Sequence, residues 1–196
     1  MVPRPGFPRP CHDFRPCTAR RATRMLEGTI LLRLGPGKAR DTMKAFVVYD
    51  SAYGNTKTIA EALAAGLGNK AAAVPVDRFD AGSLQSGDLL VVGSPINGWR
   101  PTPKITQALA DLASRGLAGV KAAAFDTRLK LFIHGDAAKK MTRALKAAGA
   151  SIITGPMAFY VKGSEGPLRQ GEVDRAAAWA ETLRSALKDQ GSRREA

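Results

Sequence analysis

The chain has 196 residues, 44% of them hydrophobic and 24% charged, with two cysteines and a formal net charge of +13. That length suits one domain, no run reaches the roughly 18–20 apolar residues of a membrane span, and two cysteines exclude a disulfide-rich secreted fold. The charge looks like a nucleic-acid footprint only until it is divided along the chain. Residues 1–42 carry nine Lys and Arg against three Asp and Glu, and residues 43–196 carry 21 against 14. A domain of +7 behind an arm of +6 bears on association and solubility more than on fold. Neither a nucleic acid nor a membrane is expected as partner, and the scarcity of cysteine fits a reducing cytoplasm.

Residues 1–42 are crowded with Pro and Arg and keep neither a helical nor a strand period. They read as an extension outside the domain, either an artefact of the chosen start or a dispensable tail, with a regulatory, anchoring or targeting arm as alternatives. Cys11 and Cys17 flank His12, but one C-x5-C pair without a second ligand pair is no zinc spacing. The domain is expected over 43–190, with a short tail at 191–196.

From Met43 on, short apolar runs alternate with Ala- and Leu-rich stretches. Ala45 to Tyr49 is a strand, followed by a helix over Thr56 to Leu67 with Ile59, Leu63 and Leu67 on one face. Ala71 to Val76 is the second strand and Leu89 to Val92 the third, followed by a helix over Thr102 to Ala113. Lys121 to Phe125 is the fourth strand, and Ala137 to Ala148 a helix ended by Gly149. The fifth strand begins at Ser151 to Thr154 and resumes at Met157 to Val161 after Pro156, and a last helix spans Gly171 to Lys188. Strands without polar alternation are buried on both faces. The expectation is therefore an α/β fold, a three-layer sandwich around a five-stranded parallel doubly wound sheet. Ligands in such sheets bind beyond the carboxyl ends of the strands, where the order reverses.

Three loops lie there. Asp50-Ser51-Ala52-Tyr53-Gly54-Asn55-Thr56 runs from a strand into a helix. Its hydroxyls, its glycine and the amides of the helix start can cradle a phosphate without cationic side chains. The same residues also make an ordinary helix cap and turn. With the strand before it, Ser51-x-x-Gly54-x-Thr56 resembles the phosphate loop of flavodoxins, and residues 43–188 follow the flavodoxin plan in element order and length. Tyr53 stands where the family carries a middle hydroxyl.

The resemblance implies strand order 2-1-3-4-5, FMN as cofactor and two further contact segments. Gly93-Ser94-Pro95-Ile96-Asn97-Gly98-Trp99 matches the stretch that lies along the flavin ring, with Asn97-Gly98 at the peptide that flips beside flavin N5 and Trp99 able to cover the ring. Phe125, Asp126, Thr127 and Arg128 open the third loop. There, backbone groups of Asp126 and Thr127 would meet the pyrimidine edge, and Arg128 would offset charge near N1 and O2. The glycine-rich aromatic stretch usual in this loop is lacking, and His134 just beyond reads as structural or solvent-facing.

No nucleophile elbow, zinc-protease helix, Walker lysine loop or dinucleotide fingerprint is found. The resemblance implies an FMN redox protein carrying electrons between a reductase and an acceptor. Carriers of the family are usually acidic and dock on basic partners, but the +7 of this domain calls instead for a redox partner protein whose docking surface is neutral or acidic. The alternatives are an NAD(P)H-dependent FMN quinone reductase and a binding module that kept the fold without the flavin.

Overall fold

A computed structural model of the chain describes residues 43–130 and 135–192. The expected extension with Cys11, His12 and Cys17, the last four residues and His134 lie outside them. The elements run β1 (Ala45–Tyr49), α1 (Asn55–Leu67), β2 (Ala71–Pro75), β3 (Leu89–Pro95), α2 (Pro103–Arg115), β4 (Lys121–Leu129), α3 (Ala137–Ala147), β5 (Ser151–Ile152), β6 (Met157–Val161) and α4 (Glu172–Ser192).

Local chemistry sets most of the boundaries. Helix α1 enters from Gly54 at φ 84° and leaves through Gly68 at φ 104°, both open to glycine at little cost. Thr102 caps α2 and accepts from the Ile105 amide, with Pro103 as the first helical residue. Asp136 caps α3 through the Lys139 amide. Pro75 closes β2, which lies at the sheet edge where a missing donor is tolerated.

All pairings between named strands are parallel, in the order β2-β1-β3-β4-β5, with β6 also on β4. The fifth position is thus shared by two short segments, as the interruption at Pro156 implies. Because side chains alternate across a strand, the sheet feeds two cores. Val47, Phe125 and Phe159 face α1 and α4 with Ile59, Leu63, Trp179 and Leu183. Val48, Leu90 and Ala124 face α2 and α3 with Ile105, Leu109, Met141 and Leu145.

Two strands run further than their apolar runs suggest. β3 extends through Gly93, Ser94 and Pro95, and β4 extends through Asp126, Thr127 and Arg128 to Leu129. The added ladder joins Ser94 with Asp126 and Pro95 with Thr127, while β6 matches Phe125 to Leu129 residue for residue. All four residues that open the expected third loop, Phe125 to Arg128, are therefore strand. Among the described residues no helix is long and apolar enough to cross a membrane.

Phe125 shows why this correction matters. Its ring is fully buried, edge-on to Phe159 (5.7 Å) and Trp179 (6.2 Å). A Cβ added at Gly93 would lie 2.1 Å from that ring. Gly93→Ala should therefore cost about 2–3 kcal/mol by forcing the ring off its rotamer. Urea unfolding measures it, and an unchanged midpoint would show that the ring has room to move.

Candidate functional site

Beyond the carboxyl ends of β1, β3 and β4 lies a cleft of about 520 Å³, within the size range of small-ligand pockets. Ser51, Ala52, Tyr53, Asn55 and Thr56 line one side, and Pro95, Ile96, Asn97, Gly98 and Trp99 another. Thr127 and Arg128 reach it from β4. Four expected contact residues do not line it: Gly54 stands behind as helix cap, Ser94 is buried, Phe125 is core and Asp126 faces α3.

The first loop offers donors. The earliest backbone bond of α1 runs from the Thr58 amide to the Gly54 carbonyl (3.0 Å). The amides of Asn55, Thr56 and Lys57 precede it and have no helical acceptor. Ser51 Oγ is buried and makes no hydrogen bond to the described residues. Its own amide donates to Asp50 Oδ1 (3.0 Å). Thr56, 1% exposed, shares a 2.8 Å hydroxyl hydrogen bond with Thr127, 5% exposed. Two hydroxyls joined by one such bond leave one proton still to donate. The loop thus presents an unpartnered hydroxyl, a spare hydroxyl proton and a helix start, a donor set for an anion.

Asn55 reaches away from this cradle. Its Nδ2 donates to the Glu165 carbonyl (2.8 Å), and a Cβ at Gly166 would meet the Asn55 amide at 2.6 Å. The segment after β6 is therefore latched to the start of α1.

The second loop closes in a two-residue turn. The Asn97 amide donates to the Arg100 carbonyl (2.9 Å), and the Arg100 amide returns to Asn97 (3.0 Å). Gly98 at φ 52° and Trp99 at φ 71° are both left-handed, as such a turn demands, and Trp99 is the only non-glycine so held among the described residues. The strain is sustained from α3. Gly135 packs so closely that a Cβ there would lie 2.4 Å from the Trp99 Cα, and Lys140 Nζ donates to the Trp99 carbonyl (2.9 Å). Ser94 anchors the base of the loop, its hydroxyl accepting from the Thr102 amide (3.0 Å) and donating to the Pro95 carbonyl (2.8 Å).

This geometry moves one expectation. The Asn97 carbonyl is tied across the turn, so the Asn97-Gly98 peptide is held. The peptide of this turn without a hydrogen bond to the described residues is Gly98-Trp99. Rotating it would return Trp99 to negative φ while keeping both cross-turn bonds.

Arg128 is corrected as well. Its Nε donates to Asp126 Oδ1 (2.6 Å), its Nη2 to Asp126 Oδ2, and Nη2 also meets Asp136 Oδ1 at 3.3 Å. Two carboxylates already balance the guanidinium, so it brings no uncompensated positive charge to the cleft. Burial pushes the Asp126 carboxyl up, opposed by Arg128 and by the Ala138 amide, which donates to it at 2.8 Å. Burial also works against the Asp136 charge, but the Lys139 amide and ammonium and the Arg128 guanidinium outweigh it and hold that carboxyl below its usual range.

Thr102, Leu129, Gly135, Val161 and Ser164 also line the cleft without having been anticipated. Only Thr102 carried a sequence signal, a threonine before proline at a helix start. Among the described residues no group of three His, Cys, Asp or Glu is placed to hold a metal.

Two consequences can be measured. Thr127→Val leaves the Thr56 hydroxyl buried without a partner and should cost roughly 1–3 kcal/mol of stability, which Thr127→Ser largely restores. A depressed folded-state carboxyl gives stability that is full above its unfolded value, about pH 4, and is lost as acid protonates it. Asp136→Asn keeps the cap and removes the charge, so acid titration of stability should lose that component. Identical acid limbs in wild type and variant would remove the charge from this role.

The sequence model of the flavodoxin family matches residues 47–182, from within β1 to within α4. A flavodoxin from the domain Archaea is similar at a TM-score of 0.64 and 19% identity, covering 74% of this chain and 99% of that one. Oxidised flavodoxin 1 from Bacillus cereus gives 0.63 and 18%, covering 72% and 97%. Rubredoxin oxygen:oxidoreductase from Desulfovibrio gigas gives 0.61 and 20%, covering 74% of this chain and 36% of that longer one. At these identities the structures speak for the fold. No curated protein sequence matches the chain. With the family match spanning most of the sheet and its helices, the chain belongs to the flavodoxin family.

Proposed function

We propose that this chain binds FMN in the cleft above β1, β3 and β4 and carries electrons between a reductase and an acceptor protein. The observation that carries the reading is Ser51 Oγ, buried and unpartnered beside the unbonded amides that open α1. Burying a hydroxyl without a partner is costly, and an anion's oxygen is the acceptor this position suits. FMN is the cofactor of the family, and its flavin takes up and gives back electrons one or two at a time.

The residues present fit that group. Ser51, Thr56 and the amides of Asn55 to Lys57 would hold the phosphate, with Thr127 orienting the Thr56 hydroxyl from behind. Tyr53 is 61% exposed and Trp99 54% exposed. Each presents an aromatic face on a loop that borders the cleft, suited to excluding water from a flat ring. The Asp126-Arg128 pair forms a closed ionic floor that leaves the cleft without a free cation from β4. An acceptor-rich ring would meet backbone groups there rather than an unbalanced charge.

Mixing the purified protein with FMN should quench flavin fluorescence at a stoichiometry of about one, through contact with the aromatic rims. Thr56→Ala removes a charge-assisted bond of roughly 1.5–3 kcal/mol and should weaken FMN about 10- to 150-fold. Riboflavin lacks the phosphate and should bind wild type and variant alike. Equal losses for both flavins would reduce Thr56 to a packing residue, and unchanged FMN fluorescence with wild type would favour a binding module without flavin. Steady NAD(P)H oxidation without added reductase would move the assignment to a quinone reductase.

A further inference from the structure

The rim of the cleft is not electrically uniform. On α1 Lys57 is paired with Glu61 (3.8 Å), and at the start of α2 Lys104 is paired with Asp77 of the segment after β2 (2.7 Å). On the side of α3 and the end of β4 the balance differs. Lys139 meets Asp136 at 2.9 Å, but that carboxylate also answers Arg128. Lys140 spends its hydrogen bond on the Trp99 carbonyl and keeps its charge. Lys130 lies 5.9 Å from the Tyr160 ring centre, and neither it nor Arg100 has a carboxylate within salt-bridge distance among the described residues. Arg100, Lys130, Lys139 and Lys140 are all exposed.

Trp99, more than half exposed, adjoins Arg100 along the chain and Lys140 through its carbonyl. It is held there by its left-handed backbone, by Gly135 beneath it and by Lys140. A fixed aromatic beside arginine is the residue pairing that dominates interface energetics, and an aromatic already held in place loses little entropy on contact. Cations in excess over carboxylates select the sign of what approaches.

We propose that this half of the rim, Trp99 with Arg100, Lys130, Lys139 and Lys140, is the docking surface for an acidic electron-carrier protein. Its purpose rests on the FMN reading, but its chemistry does not need the flavin in place. The domain's overall positive charge draws an acidic partner from a distance, and the excess of cations over carboxylates in the patch then fixes where it lands. A basic partner is repelled on both scales.

The test uses oxidised rubredoxin as a small acidic probe and cytochrome c as a basic one, titrated calorimetrically at low and high salt. The full chain is used with and without FMN, and flavin fluorescence is read in parallel. Failure of the flavin reading then shows in fluorescence, and failure of the docking reading in calorimetry. Rubredoxin should bind at low salt, weaken with salt, and bind more tightly than cytochrome c. The double variant Arg100→Glu with Lys130→Glu should weaken rubredoxin about 10-fold or more. Lys44→Glu with Lys188→Glu makes the same change in net charge at exposed positions elsewhere and should weaken it less than about 2-fold. Trp99→Ala should weaken binding at both salt levels. Equal losses from the two charge reversals would assign the attraction to the whole protein's field and overturn the patch. Absence of rubredoxin binding at low salt, or tighter binding of cytochrome c, would overturn the acidic partner.

Discussion

The cleft depends on β4 carrying three polar residues into the sheet. Asp126 and Thr127 continue the ladder between β3 and β6 and Arg128 pairs with β6 alone, all three with their side chains largely buried. Alternation sends Thr127 toward α1, and Asp126 and Arg128 toward α3. Each direction is chemically closed, by the Thr56 hydroxyl on one side and by the Arg-Asp pair with the Ala138 amide on the other. Such a pair contributes little net stability over an apolar equivalent, whereas loss of one member leaves a buried charge. What the arrangement secures is position. It sets the start of α3 against the end of β4, and α3 in turn holds Trp99.

That same feature marks where sequence reasoning stopped. The apolar runs of β1, β3 and β4, the helical faces of α1 to α4 and the parallel character of the sheet are legible, because burial on two faces leaves an unambiguous hydrophobic pattern, while the strand order follows from the resemblance to flavodoxins. Strand ends were not legible. Asp-Thr-Arg after Phe125 has the composition of a loop, and only its partners, distant in sequence, make it strand. Phe125 opens the segment that the flavodoxin resemblance places at the site, yet its ring fills the space that Gly93 leaves open.

Within the cleft the local signals held better than the distant ones. Ser51, Gly54 and Thr56 announce a helix start whatever else they do, and the structure sets Ser51 and Thr56 on one wall with Gly54 behind them. Asn97-Gly98 announces a tight turn, but which of its peptides is tethered follows from hydrogen bonds to Arg100 that spacing cannot specify. Val161 and Ser164 come from the fifth strand position and the segment after it. They reach the cleft only because β6 pairs with the concealed end of β4.

The Asn55 latch couples two parts of the chain that lie 110 residues apart. The segment that follows β6 folds back on it, the Lys162 amide donating to the Pro167 carbonyl and the Arg169 amide to Tyr160. Opening that edge releases Asn55, and freeing Asn55 loosens the first turn of α1. By thermodynamic linkage, any anion that grips the start of α1 must also slow local opening of the β6 margin. Amide hydrogen exchange at Lys162 and Arg169 thus becomes a remote gauge of occupancy at Ser51 and Thr56. One hydrogen bond joins the margin of β6 to the start of α1.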